Sequence, residues 1–443
     1  RDQRDREAFQ EVDYRAMYGP LAKWVAEIEQ TERIPEYVSH AFHVAQSGRP
    51  GPVVLALPED MLSASAEVAD APVALPARQG MSADATASVT QSLAAARRPL
   101  VIVGGGGWSA EASRDLQTFV ERHDLPVAAS FRCQDYVDNR HPNYVGDVGI
   151  GINPALAERV RTADVLLVIG ARLGEMTTSG YTLLTPPVPQ QALIHIHADP
   201  NEIGRVFRPA LGIGATSREA VAALAALPAM QSPPWSDSVR QGRAAYDAWQ
   251  GPQETPGAVK MEAVIRHLSE TLPENAIVTN GAGNYSAWLH RYYRYKGWKT
   301  QLAPTSGSMG YGLPAAVAAK LAHPEREVLC LAGDGCFQMH MQEFGTAAQY
   351  GANIIVLISN NGQYGTIRMH QERAYPGRVS GTAMRNPDFA ALARSYGGYG
   401  ATITEQGEFA GALAEARAAG VPAILDLQTD PAALSPKLTL ASA

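Results

Sequence analysis

The chain has 443 residues, a formal net charge of −7 at pH 7 and a hydrophobic content of 46%. This length exceeds what one hydrophobic core usually supports, so it predicts two or three domains. The hydrophobic content is that of a globular protein, and the sequence contains no long uncharged apolar run that would cross a membrane. The acidic balance gives no reason to expect binding to nucleic acid or to an anionic membrane.

The first part of the chain contains one helical pattern and one strand pattern. Residues 33–46 predict an amphipathic helix, and the run PVVLALP at 52–58 predicts a buried strand. The opening RDQRDRE predicts a solvated end. A Pro/Ala/Ser-rich stretch at about 68–85 predicts a linker.

The middle of the chain alternates strand and helix patterns. We expect strands at Leu100–Val103, Val165–Ile169 and Leu193–Ile196, with a helix near 109–123. Such alternation is typical of a small doubly wound α/β domain. A second Pro/Ser-rich break follows at 227–236.

The last part repeats the same alternation and predicts a second parallel sheet. Its expected strands are Ala276–Val278, Val328–Leu331, Ile354–Ile358 and Ile424–Leu427. The predicted fold class is therefore α/β with doubly wound parallel sheets.

Two polar motifs end neighbouring apolar runs of this second sheet. Gly333-Asp334-Gly335 ends one run, and Asn360-Asn361 ends the next. Because open α/β sheets bind ligands at the carboxyl ends of their strands, we expect these residues to meet at one edge. Carboxylate and amide oxygens suit Mg²⁺ held to a phosphate, and the glycines allow backbone to approach that phosphate closely.

Further segments accompany this motif in order along the chain. They are Ser47–Val53 with Leu57–Asp60, His195–Pro200 with Glu202–Gly204, Asn280–Tyr285, and Thr305–Pro314. Together with GDG…NN they resemble the segments of thiamine-diphosphate enzymes, and the branch they resemble is the acetolactate-synthase-like one. The resemblance covers nearly the whole chain. It implies three domains: the tail of a pyrimidine-binding domain (1–68), a central α/β domain (83–228) and a thiamine-diphosphate domain (255–443).

The resemblance also implies which residues bind cofactor and metal. The expected metal ligands are the Asp334 and Asn361 side chains and the Gln363 carbonyl. The expected cofactor-binding residues are Ala282, Gly283, Asn284, Tyr285, Gly307, Met309, Gly333, Gly335, Cys336, Tyr364 and Gly365. Hydrogen bonds to the diphosphate are expected from Gly283, Asn284, Gly335 and Cys336. The Gly307 carbonyl would accept from the cofactor's 4′-amino group, and Met309 would hold the cofactor bent.

The implied activity is decarboxylation of a small-molecule 2-oxo acid and ligation of the remaining fragment to a second carbonyl compound. One alternative is a simple decarboxylase, because Asn361-Gly362-Gln363-Tyr364-Gly365 also resembles the benzoylformate decarboxylase loop. Another is a cofactor-binding paralogue without catalytic activity. The family usually forms homodimers or homotetramers, and we expect the same here.

The resemblance identifies few substrate-binding residues and no catalytic residue. Phe9, Gln10 and Lys23 match family positions near the active site. The resemblance also places the turn after the GDG motif near the cofactor's thiazolium, which implies a substrate contact for His340, with a solvated or helix-capping role as the alternative. The family's catalytic Glu lies in the pyrimidine-binding domain, and no Glu in this sequence matches its motif, so the catalytic residue is unknown. We expect the parent protein to be longer by ~100 residues, about one small domain.

Other sequence motifs can be interpreted in more than one way, and some of them favour a structural role over a functional one. Gly104–Gly107 follows an apolar run as a phosphate loop would, and relatives of the acetolactate-synthase type bind FAD around such a loop, so FAD is a candidate second cofactor. His195 and His197 share a strand face without a third metal ligand nearby, which favours a core or surface role. The basic and aromatic cluster at 290–298 favours a structural loop over nucleic-acid binding. Three cysteines without metal or disulfide spacing predict a cytoplasmic location.

Overall fold

The computed structural model describes residues 2–440, so Arg1 and residues 441–443, at the outer limits of the expected first and last domains, lie outside the described residues. Within this range the strands form one two-stranded and two six-stranded sheets. Strands that are neighbours in a sheet run parallel, which confirms the predicted fold class. None of the helices in the described range is both long and apolar enough to cross a membrane.

The first segment forms a small sheet with short helices. Its elements are α1 (Tyr14–Tyr18), β1 (Trp24–Glu27), α2 (Ile34–Gln46), β2 (Val53–Ala56) and α3 (Glu59–Ser63). Strands β1 and β2 pair in parallel, and α2 and β2 confirm the predicted helix and strand. The residues of β2 are only partly buried, although the apolar run predicts a buried strand. Residues 64–82 contain no helix or strand, which agrees with most of the linker expected at about 68–85, although a helix already begins at Ala83.

The central sheet has the strand order β5-β4-β3-β6-β7-β8. Its strands are β3 (Pro99–Val103), β4 (Val127–Ala129), β5 (Tyr144–Asp147), β6 (Val165–Ile169), β7 (Ala192–His197) and β8 (Leu211–Gly214). Its helices are α4 (Ala83–Ala95), α5 (Ala110–Arg122), α6 (Pro154–Thr162), α7 (Ser217–Ala225) and α8 (Ser236–Trp249). Helix α8 follows the second linker yet packs on β5, where Gly242 lies so close to Val145 that a Cβ would come within 2.7 Å of its Cγ1.

The C-terminal sheet has the strand order β10-β9-β11-β12-β14-β13. Its strands are β9 (Ile277–Asn280), β10 (Gln301–Leu302), β11 (Val328–Gly333), β12 (Ile355–Asn360), β13 (Tyr399–Ile403) and β14 (Ala423–Gln428). Its helices are α9 (Met261–Thr271), α10 (Ser286–Tyr292), α11 (Gly312–Ala322), α12 (Asp334–Gln338), α13 (Glu343–Tyr350), α14 (Gly365–Ala374), α15 (Phe389–Ser395) and α16 (Phe409–Ala418). Short 3₁₀ turns lie at Thr31–Arg33, Gln134–Tyr136, Pro200–Glu202 and Gln406–Glu408.

Strand β11 shows how this sheet is built. Its residues are buried throughout, and successive side chains enter different cores: Leu329 and Leu331 join the cluster on one face, whereas Cys330 and Ala332 join the cluster on the other. This alternation is the period-two pattern of a strand covered on both faces by helices. The register pairs Gly333 with Ser359, so the residues that follow β11 and β12 emerge side by side at one sheet edge.

Candidate functional site

Asp334 connects the two strand ends. Its side chain is buried, with 3% of the residue exposed, and its two oxygens accept different backbone hydrogen bonds. Oδ1 accepts from the Gly335 N–H and Oδ2 accepts from the Gly362 N–H, each at 2.8 Å. Burial raises the pKa of the Asp334 carboxyl, and hydrogen bonds from Asn386 and the two amides oppose that rise. The carboxylate is therefore held in one orientation at the edge of the sheet.

Asn386 is a site residue that sequence reasoning missed. Its Nδ2 donates to Asp334 Oδ2 at 2.8 Å and to Asn360 Oδ1 at 2.7 Å. Its Oδ1 accepts from Gln338 Nε2 at 2.9 Å. The residue lies between α14 and α15 in the run RNPD, which belongs to no motif and gives no sequence signal of its position.

The two asparagines of the NN pair have different surroundings. Asn360, at the end of β12, is buried; it accepts from Asn386 and its Nδ2 donates to Asp426 Oδ1 at 2.9 Å. Asn361 is partly exposed in the following loop, where its Oδ1 accepts from the Gln363 N–H at 3.2 Å. Asn360 therefore supports the strand ends, while Asn361 lies next to Gly362, whose N–H contacts Asp334, and lines a small pocket.

Gln363 differs from Asn361 in how its side chain is engaged. Its side-chain amide is occupied, because Oε1 accepts from Arg368 at 2.7 Å and Nε2 donates to the Pro431 carbonyl at 2.6 Å. Its own carbonyl accepts one hydrogen bond, from the Gly365 N–H at 2.9 Å, so a second lone pair remains for another partner. The carbonyl of Gln363, unlike its side chain, can therefore accept a further partner.

The donor set fits a hard divalent cation bound to a phosphate. Among residues 2–440, no group of three His, Cys, Asp or Glu side chains is placed to hold a metal. The Asp334 carboxylate instead contacts the backbone of Gly362, and the two residues that flank Gly362, Asn361 and Gln363, carry the amide oxygen and the carbonyl. Mg²⁺ characteristically takes one or two carboxylates and completes its shell with substrate phosphates and water.

Aromatic rings pack on the glycines of the GDG motif. A Cβ on Gly333 would lie 2.8 Å from the Tyr285 ring, and one on Gly335 would lie 2.7 Å from the Tyr364 ring. The Tyr285 hydroxyl donates to Cys336 Sγ at 3.2 Å. Each glycine is thus required by close packing, and the rings join the loop after β9 and the loop after β12 to the end of β11.

Cys336 connects the loop before α11 to the loop after β9. Its buried Sγ also accepts from the Gly310 N–H at 3.2 Å, in the loop that precedes α11. A Cβ on Gly310 would overlap the His340 ring, so His340 lies directly against this loop although it is exposed. Met309 packs on the core beneath the sheet, and Gly307 has a positive φ of 74°.

A small pocket opens between these segments. Its walls include Asn284, Tyr285, Asn361 and Gly365 from the expected site. The other lining residues are Thr255, Pro256, Val259, Met261, Trp288, Ser359, Thr429, Ala433 and Leu434. The Asn284 N–H and its Oδ1 are both hydrogen-bonded to the Thr366 hydroxyl, at 3.0 Å each, so the loop that carries Ala282 and Gly283 is fixed to α14. The structure therefore brings the loops after β9 and β12 and the loop before α11 into contact with the end of β11, the start of α12 or the start of α14.

The expected substrate residues of the first segment are not brought to this edge within the chain. Phe9 is 94% exposed and Gln10 is exposed with a φ of 67°. Lys23 donates to the Ser47 carbonyl at 2.6 Å instead of facing the C-terminal sheet. Of the four expected substrate residues, only His340 lies beside the cofactor segments.

The remaining sequence motifs make the following contacts in this fold. In the Gly104–Gly107 loop, a Cβ on Gly105 would overlap the Gly170 carbonyl, so packing alone requires glycine there. His195 is buried with Nε2 3.0 Å from the Ala171 carbonyl, and burial lowers its pKa to about 4, which confirms the core interpretation. In the basic and aromatic cluster, Arg291 stacks on Trp249 at 3.9 Å and the tyrosines are buried, which confirms the structural role. The prediction of a loop holds only after Tyr292, because residues 290–292 end α10.

Two parts of the chain match domain families of known enzymes. Residues 281–427 match the thiamine pyrophosphate enzyme C-terminal TPP-binding domain, and residues 86–224 match the central domain of the same enzymes. The acetolactate synthase isozyme 3 large subunit of Escherichia coli strain K12 is 32% identical over 427 residues, which cover 93% of this chain and 73% of that protein.

Two other relatives show the same extent of similarity. The probable acetolactate synthase large subunit of Methanocaldococcus jannaschii is 30% identical over 451 residues, which cover 97% of this chain and 75% of that protein. The acetolactate synthase large subunit of Corynebacterium glutamicum is 30% identical over 428 residues, covering 93% and 68%. The chain therefore belongs to the thiamine-pyrophosphate-dependent enzymes and is an acetolactate-synthase-like member of that family.

Proposed function

We propose that this enzyme decarboxylates a 2-oxo acid and ligates the remaining fragment to a second carbonyl compound, with Mg²⁺ and thiamine diphosphate bound at the edge of the C-terminal sheet. The observation that carries the proposal is the Asp334–Gly362 hydrogen bond, because it assembles the ends of β11 and β12 into one oxygen-rich site. The similarity of most of the chain to acetolactate synthase large subunits supports the reaction type.

The metal would be held by three protein oxygens. Asp334 would supply its carboxylate, Asn361 its amide oxygen and Gln363 its carbonyl, and phosphate oxygens and water would fill the remaining positions. The Asp334 carboxylate is already oriented by three hydrogen-bond donors, so little side-chain freedom would be lost on binding. Asn386 would not bind the metal itself. It would hold the Asp334 carboxylate in place by donating a hydrogen bond to Oδ2, the same oxygen that accepts from the Gly362 N–H.

The cofactor would lie across four segments of the C-terminal domain. Ala282, Gly283, Asn284 and Tyr285 follow β9; Gly307 and Met309 precede α11; Gly333, Gly335 and Cys336 surround the start of α12; and Tyr364 directly precedes Gly365, the first residue of α14. When bound, thiamine diphosphate supplies the carbon nucleophile and electron sink of the reaction. The Cys336 side chain is engaged by Tyr285 and Gly310, so its contribution would come from its backbone N–H.

The substrate would reach the cofactor near His340. Its ring lies against Gly310 in the expected cofactor loop and is exposed, which suits a polar contact to a small 2-oxo acid. Phe9, Gln10 and Lys23 would take part only if another copy of the chain brought them to the site, and a homodimer or homotetramer would allow this.

The domains proposed with this function are the tail of a pyrimidine-binding domain at 1–68, a central domain at 83–228 and a thiamine-diphosphate domain at 255–443. The cysteine content favours the cytoplasm as the location of the protein.

FAD is proposed only as a second cofactor of the central domain. The loop carbonyls of Gly104, Gly105 and Gly106 accept hydrogen bonds from Trp108, Tyr136 and Ser217 within the chain itself. The Arg172 guanidinium is paired with the buried Glu202 at 3.0 Å. These contacts account for the loop without a flavin, so the absorbance of the purified protein near the flavin bands is the direct test.

Product analysis separates ligation from simple decarboxylation. The enzyme would be incubated with pyruvate, thiamine diphosphate and Mg²⁺, and the products separated by chromatography. Acetolactate or acetoin supports ligation, whereas acetaldehyde alone supports the decarboxylase alternative. Cofactor binding without turnover of any 2-oxo acid tested would support the paralogue without catalytic activity.

A further inference from the structure

A turn of the central domain reaches the C-terminal domain beside the cofactor loops. The turn, Arg132–Asp135, follows β4 and has the sequence RCQD. Arg132 has a φ of 60°, which is uncommon for a residue with a side chain, and only 8% of the residue is exposed. A buried cation in a strained backbone conformation requires specific partners to persist.

Those partners are backbone carbonyls of two cofactor loops. One terminal nitrogen of Arg132 donates to the Pro304 carbonyl, and the other donates to the Gly281 carbonyl at 3.1 Å. Gly281 begins the loop that leads to Asn284, and Pro304 precedes the loop that contains Gly307. A single guanidinium thus joins the starting points of two loops that come from different strands.

The rest of the turn fixes the same region. The Gln134 N–H donates to Gln301 Oε1 at 2.8 Å, and Gln301 Nε2 donates to Gln134 Oε1 at 3.2 Å. Asp135 Oδ2 accepts from the N–H groups of Thr300 and Gln301, at 3.1 and 3.2 Å. Strand β10, which leads into Pro304, is therefore docked on the central domain by the turn that also carries Arg132.

We propose that Arg132 is a positioning residue for thiamine diphosphate: it sets the separation of the loops after β9 and β10 so that both contact the cofactor at once. The proposal rests on the loop assignment under Proposed function. The planar guanidinium can donate to two carbonyls in fixed directions, whereas a lysine ammonium at the same position is a single point donor. Arg132 touches loop backbone, so its effect on catalysis is exerted through the loops.

The test compares Arg132→Lys and Arg132→Met with Arg140→Gln. Arg140 also crosses between the domains, to Glu274 at 2.5 Å, but on the exposed surface and away from the loops. Hydrogen exchange of the cofactor-free protein would be measured at 282–284 and 305–310, with β11 and β12 as internal references. Calorimetric titration with thiamine diphosphate at saturating Mg²⁺ would give the dissociation constant.

Both Arg132 variants are expected to speed exchange at the two loops while the reference strands are unchanged. They should raise the dissociation constant by about tenfold or more, the usual loss for residues that support a binding shell. Arg140→Gln should change neither quantity. If Arg132→Met fails to fold, Arg132→Lys still decides, because it keeps the charge and most of the volume.

Unchanged loop exchange in a folded Arg132→Lys protein overturns the proposal, as does an equal loss of binding in Arg140→Gln. Failure of the unaltered protein to bind thiamine diphosphate would instead contradict the proposed function. In that case the exchange of the cofactor-free variants still shows whether Arg132 orders the two loops.

Discussion

The Asp334 carboxylate accepts a hydrogen bond from the Gly362 N–H, with 2.8 Å between Oδ2 and the backbone nitrogen. Asp334 follows β11 and Gly362 follows β12, and these two strands are parallel neighbours. The hydrogen bond therefore links the loops at the carboxyl ends of the two strands. A carboxylate in this position is oriented before any ligand arrives, which is the arrangement expected of a residue that contributes to binding rather than to the core.

Replacing Asp334 by Asn should abolish Mg²⁺-dependent cofactor binding. The amide keeps the shape of the side chain but removes the only carboxylate that we assign to the metal, so affinity should fall by about two orders of magnitude or more. Calorimetry with thiamine diphosphate, with and without Mg²⁺, measures the loss. Asp70→Asn, a change of the same type in the exposed linker, should bind like the unaltered protein. Equal affinity in both variants would show that the ligand assignment is wrong.

Replacing Asn386 by Ala should weaken metal affinity while leaving the fold intact. Its Nδ2 holds both Asp334 and Asn360, and loss of such a supporting hydrogen bond typically costs about 10–100-fold in metal affinity. The Mg²⁺ concentration required for half-maximal cofactor binding is the direct readout. A variant whose Mg²⁺ requirement matched that of the unaltered protein would place Asn386 outside the binding machinery.

Replacing Gly281 by Ala should destabilise the protein. A Cβ there would overlap Cys336 Sγ and lie 2.9 Å from the Tyr285 hydroxyl, both of which are buried, and overpacking of this kind costs about 1–3 kcal/mol. Gly297→Ala is the matched control, because a Cβ at Gly297 meets nothing within 4 Å. Urea unfolding should separate the two variants, and equal midpoints would argue against the packing described for Gly281.

Asp135 should make stability depend on pH. Burial raises the pKa of its carboxyl to about 7, above the ordinary value, so the folded state binds more protons than the unfolded state between about pH 4 and pH 7. The free energy of unfolding should therefore fall as pH rises through this window, by up to about 1 kcal/mol per pH unit from this group. Asp135→Asn keeps an acceptor for the Thr300 and Gln301 amides but removes the titration.

Urea unfolding at pH 5 and pH 7 measures this contribution. The unaltered protein should lose more stability between the two pH values than Asp135→Asn does, and Asp70→Asn should behave like the unaltered protein. The same pH slope in all three proteins would mean that Asp135 remains charged over the whole range.

The strands that carry the site could be predicted from sequence because they are long and apolar. Strands β11 and β12 have six residues each and β6 has five, and all are buried on both faces, so their apolar runs are unmistakable. Strands β4 and β10 have three and two residues, too few to show a period, and they were not predicted. The pairing of Gly333 with Ser359 then places Asp334 beside the loop that holds Asn361.

Asn386 and Arg132 could not be predicted because their roles depend on long-range contacts. Asn386 reaches Asp334 across 52 residues of sequence, and Arg132 reaches Pro304 across 172. No local sequence pattern predicts such long-range contacts, because they depend on how loops and domains pack in the folded chain. The family resemblance selects Asn361 of the NN pair as the expected metal ligand, but the sequence does not show that Asn360 is held by Asn386 and Asp426, which lie far away along the chain.

We propose that Asp334, Asn361 and Gln363 hold Mg²⁺ against the diphosphate of the cofactor. The decisive measurement is calorimetric titration of the unaltered protein with thiamine diphosphate, in Mg²⁺ and again in excess EDTA. We predict saturable binding in Mg²⁺ that disappears in EDTA and is absent from Asp334→Asn under both conditions. Binding of equal strength with and without Mg²⁺, or no binding in either, would contradict the claim.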